Sequence, residues 1–237
     1  MLGREYIFML LDSNPGNDAV EKVALFESMI KGETFAFFDV EDFELIIEYY
    51  LELDFKKKAK KALEIALEQY PIDLALTLIK IEFLNSSQRF DESLKALNNL
   101  NKFHPNNIDV VLGLGRLYSL MENKPYAIKY LNHAHDLISL DSSYNDHLQD
   151  LSYEFIQIGK FDSAIKVLKQ ILSFKPNDET VMMELGVAYH ESGKFQESVN
   201  YFKEVIDGNP YSHIAWFNLA TIYNAVSYTH LRAHETH

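Results

Sequence analysis

The stretch Glu179–Ser212, ETVMMELGVAYHESGKFQESVNYFKEVIDGNPYS, decides how the rest of the chain is read. Its apolar residues recur at helical spacing in two runs, separated by Ser192-Gly193-Lys194 and closed by Pro210. That pattern predicts two short antiparallel helices. Leu185, Gly186 and Tyr189 fall on the first helix, Ser198 and Phe202 on the second. A small residue at the crossing lets two backbones approach, and large apolar side chains one turn away fill the flanks.

Working outward, the same pattern returns. Pro71 and Pro105 stand about 34 residues apart, as do Pro176 and Pro210. Pro105 to Pro176 is two such periods plus three residues, so one middle unit carries an insertion, placed within SLDSSY at 139–144. Five units result: 40–73, 74–107, 108–144, 145–178 and 179–212, with the first helix of a sixth at 213–224. Gly115, Ser152 and Gly186 hold the small position against Ala127, Ala164 and Ser198. Ile47 and Ile81 stand there in the first two units, which therefore need a wider or shifted helix contact. In the middle unit NKPYA replaces the usual turn, and Pro125 suits the first turn of a helix.

The Leu-Gly…Tyr, Ala or Ser, aromatic and terminal proline of 179–212, repeated in phase, resemble the tetratricopeptide repeat (TPR). The resemblance covers roughly three quarters of the chain. It implies an all-α TPR superhelix of antiparallel helix pairs, in which the first helix of each pair lines a concave groove. Residues 1–39 read as an N-terminal helical cap, with a helix begun by Asn17 or Asp18 and stopped by Gly32. The Phe38-Asp39-Val40-Glu41 lead-in is similar to that of acidic TPR proteins of the Bacteroidetes type.

The 237 residues are 47% hydrophobic and 24% charged, with a net charge of −13 and no cysteine. That composition belongs to a folded chain, and its charge repels phosphate backbones. Disulfides, thiolate metal sites and cysteine nucleophiles are excluded, and a cytoplasmic setting is expected. No stretch is long enough for a membrane helix. The apolar run Tyr6–Leu11 is shorter than a signal-peptide core and is followed by Asp12, Ser13 and Asn14 without a cleavage site, so it is read as the start of helix.

The end of the chain departs from the repeat. VSYTHLRAHET, 226–236, resembles the translation of a transposase adapter used in sequencing libraries. Residues 225–237 are accordingly expected to be a non-native tail, and the protein a fragment of a longer one. His230 and His234 have the spacing of a zinc pair but lack a third ligand. Without a second helix over them, Trp216 and Tyr223 are expected to fray or to drive self-association.

No catalytic constellation emerges. Gly113 and Gly115 lie inside a helix, and His133 and His135 are two apart and cannot share a helical face. The lysine run of FKKKAKKALEIALEQY, Lys56 to Lys61, reads as a solvated helix face offset by Glu64 and Glu68, with nucleic-acid or anionic-membrane binding as its functional alternative.

The stripe opposite the core of each first helix supplies the candidate site. Taken along the chain, it holds Glu44, Glu48, Leu78, Glu82, Leu112, Arg116, Gln149, Tyr153, Met183, Val187 and Phe217. TPR domains that grip chaperone tails use several cations there, whereas here Arg116 stands alone. The stripe is acidic early and apolar-aromatic late. The expected function is a non-catalytic scaffold or adaptor that takes a protein or peptide partner with basic and apolar segments, using no cofactor, nucleic acid or membrane. The alternatives are a docking part of a longer protein with a C-terminal effector domain, and a structural oligomer.

Overall fold

The computed structural model describes the backbone of residues 16–235 and the side chains of 18–224. The apolar run Tyr6–Leu11 lies outside them, as do the side chains of His230 and His234. Among the described residues there are twelve α-helices and no strand: α1 (Gly16–Ile30), α2 (Val40–Glu52), α3 (Lys56–Gln69), α4 (Leu74–Ser86), α5 (Phe90–Phe103), α6 (Ile108–Leu120), α7 (Lys124–Leu140), α8 (Leu148–Gln157), α9 (Phe161–Phe174), α10 (Glu179–Glu191), α11 (Phe195–Gly208) and α12 (His213–Glu235). The fold is the all-α TPR class. Contacts divide the chain into two compact units, Met1–Leu100 and Asn101–His237.

Local chemistry sets the boundaries. Asp39, Asp73, Asn107 and Asp178 are N-caps, each accepting the backbone N–H three residues on at 2.8–3.1 Å. Such a cap contributes about 1 kcal/mol. Three of these caps stand two residues after Pro71, Pro105 or Pro176, so proline ends one helix and the cap begins the next. The turns inside the pairs each place one residue at positive φ: Asp54 (58°), Gln88 (57°), Glu122 (56°), Gly159 (74°) and Gly193 (78°). Pro125 lies in the first turn of α7. The three added residues of the middle unit lengthen α7 to 17 residues, against 14 in α9, and a 3-10 turn follows at Ser142–His147.

Small residues behave as packing demands. A Cβ on Gly115 would lie 2.6 Å from Leu131 Cδ2, and one on Gly186 2.7 Å from the Phe202 ring. The Ser198 hydroxyl donates to the Gly186 carbonyl across the same crossing at 2.6 Å. Both isoleucines are accommodated. Ile47 is buried in a core that also holds Ala59, Ala62 and Ala66, whose small side chains leave it room, and α2 and α3 still approach closely. Ile81 is likewise buried, as are Ser93 and Leu97 of α5, so the second unit also closes its crossing over an isoleucine.

Two boundaries differ from the sequence reading. Helix α1 already includes Gly16, so Asn17 and Asp18 belong to its first turn and do not cap it; Gly32, at φ 74°, does end it. The α1 face is sealed by Phe26, Phe38 and Phe43, whose ring centroids are 5.6–6.1 Å apart. Helix α12 runs unbroken through Glu235 instead of breaking near 224. Of its four family core positions only Leu219 is buried, together with Ala215 and Ile222 from the adjacent stripe. Trp216 and Tyr223 remain 51% and 47% exposed. In α10 the matching residues Met182, Leu185, Gly186 and Tyr189 are buried, and α11 packs closely on that helix.

Candidate functional site

Within the unit Asn101–His237, first helices lie beside first helices, and polar side chains join them. The Arg116 Nε of α6 donates to Glu154 Oε1 of α8 at 2.8 Å, and its Nη2 lies 3.8 Å from Asp150 Oδ2. Burial leaves the Glu154 side chain only 5% exposed and pushes its carboxyl above the ordinary range, with the Arg116 hydrogen bond pulling it back. One step along, Gln149 Nε2 donates to both carboxylate oxygens of Glu184 in α10, at 2.8 and 2.7 Å. Burial raises Glu184 too, again opposed by that hydrogen bond.

Beside the Arg116–Glu154 pair opens a cleft of about 770 Å³, with Leu120, Lys124, Tyr153 and Gln157 on its walls. Tyr153 is 55% exposed. Its ring offers an apolar surface next to charges already satisfied within the protein, an arrangement that suits a partner side chain better than a reacting substrate.

The other predicted positions scatter. Leu112 is 6% exposed and part of the main core, so it is not available on the stripe. Met183 and Val187 are half-buried against the Phe202 cluster. Phe217 is 72% exposed. In the unit Met1–Leu100, Glu48 and Glu82 are exposed, while Glu44 and Leu78 are half-buried. Desolvation raises the Glu44 carboxyl, and the nearby charges of Asp73, Glu41 and Glu48 add to it. Glu44 therefore sits among like charges.

Asp150, Glu154 and Glu184 were missed by the sequence reading. The signal was the repeat register: one period plus the three-residue insertion places Arg116 level with Tyr153, next to Glu154. Pairing of Arg116 with two carboxylates weakens further any use of it as a carboxylate clamp. Among the described residues no group of three His, Asp or Glu side chains could hold a metal ion. No described helix is long and apolar enough to cross a membrane.

Comparison with known proteins agrees with this architecture. Residues 150–213 match the tetratricopeptide repeat family model. A tetratricopeptide repeat protein from Parabacteroides merdae superposes with a TM-score of 0.56 at 16% identity, covering 89% of this chain and 74% of that one. A MamA structure gives 0.51 at 22% identity, covering 73% and 95%. YrrB, described as a TPR protein with an unusual peptide-binding site, gives 0.51 at 17% identity, covering 70% and 84%. None of the curated proteins matches the chain. These likenesses show the TPR fold for the chain, with a match to the family's sequence model at 150–213.

Proposed function

We propose that this protein is a non-catalytic interaction scaffold whose first-helix face receives a protein or peptide partner. The carrying observation is the cleft beside Tyr153, where an exposed aromatic ring adjoins the internally paired Arg116, Asp150 and Glu154. A reactive site needs a group whose charge is unspent and aimed at substrate. Here Arg116, Asp150 and Glu154 spend their charges on holding α6 to α8, and the Tyr153 ring is left exposed beside them. The peptide-binding site that gives YrrB its description supports the same use of this fold.

The partner's chemistry follows from each unit separately. Crowded carboxylates at Glu41, Glu44 and Glu48 favour lysine or arginine. Tyr153 and Phe217 favour apolar side chains. The partner therefore carries both basic and apolar segments.

Selection from a displayed library of random peptides tests this. The expected winners combine basic and apolar residues, and they lose affinity in Tyr153→Ala and in Glu44→Lys/Glu48→Lys. Winners indifferent to both variants would sink the proposal.

A further inference from the structure

The lysines of α3 are exposed, and three of them border a hollow. Lys57, Lys58 and Lys61, with Lys31 from the end of α1, ring a pocket of about 340 Å³ whose other walls are Phe26, Ile30 and Tyr50. Glu27 is the single carboxylate in it, and it is already neutralised: Lys58 Nζ bonds it at 2.6 Å and the Tyr50 hydroxyl donates to it at 3.2 Å. Lys58 also lies over the Tyr50 ring, 5.3 Å from its centroid. Among the described residues no carboxylate reaches ion-pair distance of Lys31, Lys57 or Lys61. Glu64 stands one turn beyond Lys60 and Lys61 and pairs with neither.

The placement is costly for the fold. Lys56, Lys57 and Lys58 occupy the first turn of α3, which has no acidic residue there and no side-chain cap on its N-terminus. Cations at that end oppose the helix dipole, and negative side chains would be preferred. A local rule broken in this way, in a chain of net charge −13, points to function.

We infer that this pocket, on α1, α2 and α3 and apart from the first-helix face, docks an acidic peptide segment that inserts one apolar side chain. The lysine rim supplies attraction for Asp and Glu, and the floor supplies burial for the anchor. Ile30 is 48% exposed on the wall, ready to be covered. A nucleic-acid backbone would match the rim but leave the apolar floor unfilled. A membrane surface would meet lysines set around a hollow where it needs a protruding apolar face.

The test uses the whole chain and a fluorescent peptide of glutamates flanking one central leucine, titrated by anisotropy at low salt. Saturable binding is expected. It should weaken about tenfold or more in Lys57→Glu/Lys61→Glu and in the peptide whose leucine is replaced by serine. The single change Lys57→Glu should raise the thermal midpoint, because a carboxylate in the first turn of α3 suits the helix N-terminus, and it should weaken binding in the same direction as the double reversal, so weakened binding cannot be misfolding. The inference is overturned if the peptide does not bind, if binding survives the reversal, or if a single-stranded oligonucleotide or phosphatidylserine vesicles bind more tightly than the peptide.

Discussion

At the residue scale, two carboxylates, the buried Glu154 and the half-buried Glu184, carry the energetics of the first-helix face. Glu154 is tied to Arg116, whose side chain is 41% exposed. Removing one partner of a buried pair costs about 3–5 kcal/mol; solvent access to this guanidinium lowers the expected loss for Arg116→Ala to about 1–3 kcal/mol. The double change Arg116→Met/Glu154→Met should cost less than Arg116→Ala, because no buried charge is left behind. Urea melts of the three proteins check this. Glu184 gives a pH signature. Its folded carboxyl titrates above the ordinary 4.5, so the folded state holds the proton more tightly than the unfolded chain. Stability from this group is present at low pH and declines as pH rises from 4.5 through the folded value. Glu184→Gln keeps an acceptor for Gln149 and removes the ionised form. Its midpoint should exceed wild type by more at about pH 7 than at about pH 5. Equal differences at both would refute the assignment. These carboxylates were hard to see in sequence, where a Glu on a solenoid is by default a solvated one; only the aligned repeats bring Arg116 beside Glu154.

At the element scale, the helix pairs were legible because proline spacing and the small crossing residues are local signals. The turn geometry was half legible. Gly159 and Gly193 announce a left-handed residue, but Asp54, Gln88 and Glu122 occupy the same place without glycine. A left-handed backbone costs an ordinary residue about 1 kcal/mol. Gln88→Gly should therefore stabilise by roughly 0.5–1 kcal/mol, and Gly193→Ala should destabilise by a similar amount, both read from thermal midpoints. Gly186→Ala acts through packing instead. Its Cβ would meet the rigid, buried Phe202 ring, and overpacking of about 1–3 kcal/mol outweighs the ~1 kcal/mol gain in helix propensity. The Leu112 error has an element-level cause too. Asp109 and Arg116 flank Leu112 on one stripe of helix α6, but Ile108, Val110, Val111, Leu112, Leu114 and Leu117 are all buried, so that stripe is too narrow to expose the leucine between its two polar residues.

At the scale of the whole molecule, a repeat array is as stable as its units and their nearest-neighbour interfaces, so its weakest pair sets where it opens first. That pair is α4/α5. Both of its helices bury a side-chain oxygen that finds no partner among the described residues. Its crossing serine, Ser93, is fully buried with no partner for its hydroxyl, and Asn85 Oδ1 is likewise unsatisfied. Ser198 stands at the matching place in α11 and does bond, to the Gly186 carbonyl at 2.6 Å. One residue type at one repeat position should thus give opposite results. Ser93→Ala removes a buried, unpaired hydroxyl and should stabilise by about 1 kcal/mol, whereas Ser198→Ala deletes a satisfied bond and should destabilise by about 1 kcal/mol. Hydrogen exchange resolves the location. Amides of α5 should exchange faster than those of α9 and α11 in the wild type, and Ser93→Ala should slow them selectively. Uniform protection across these helices would mean that the array unfolds as one cooperative body, with the unsatisfied oxygens of α4/α5 offset elsewhere.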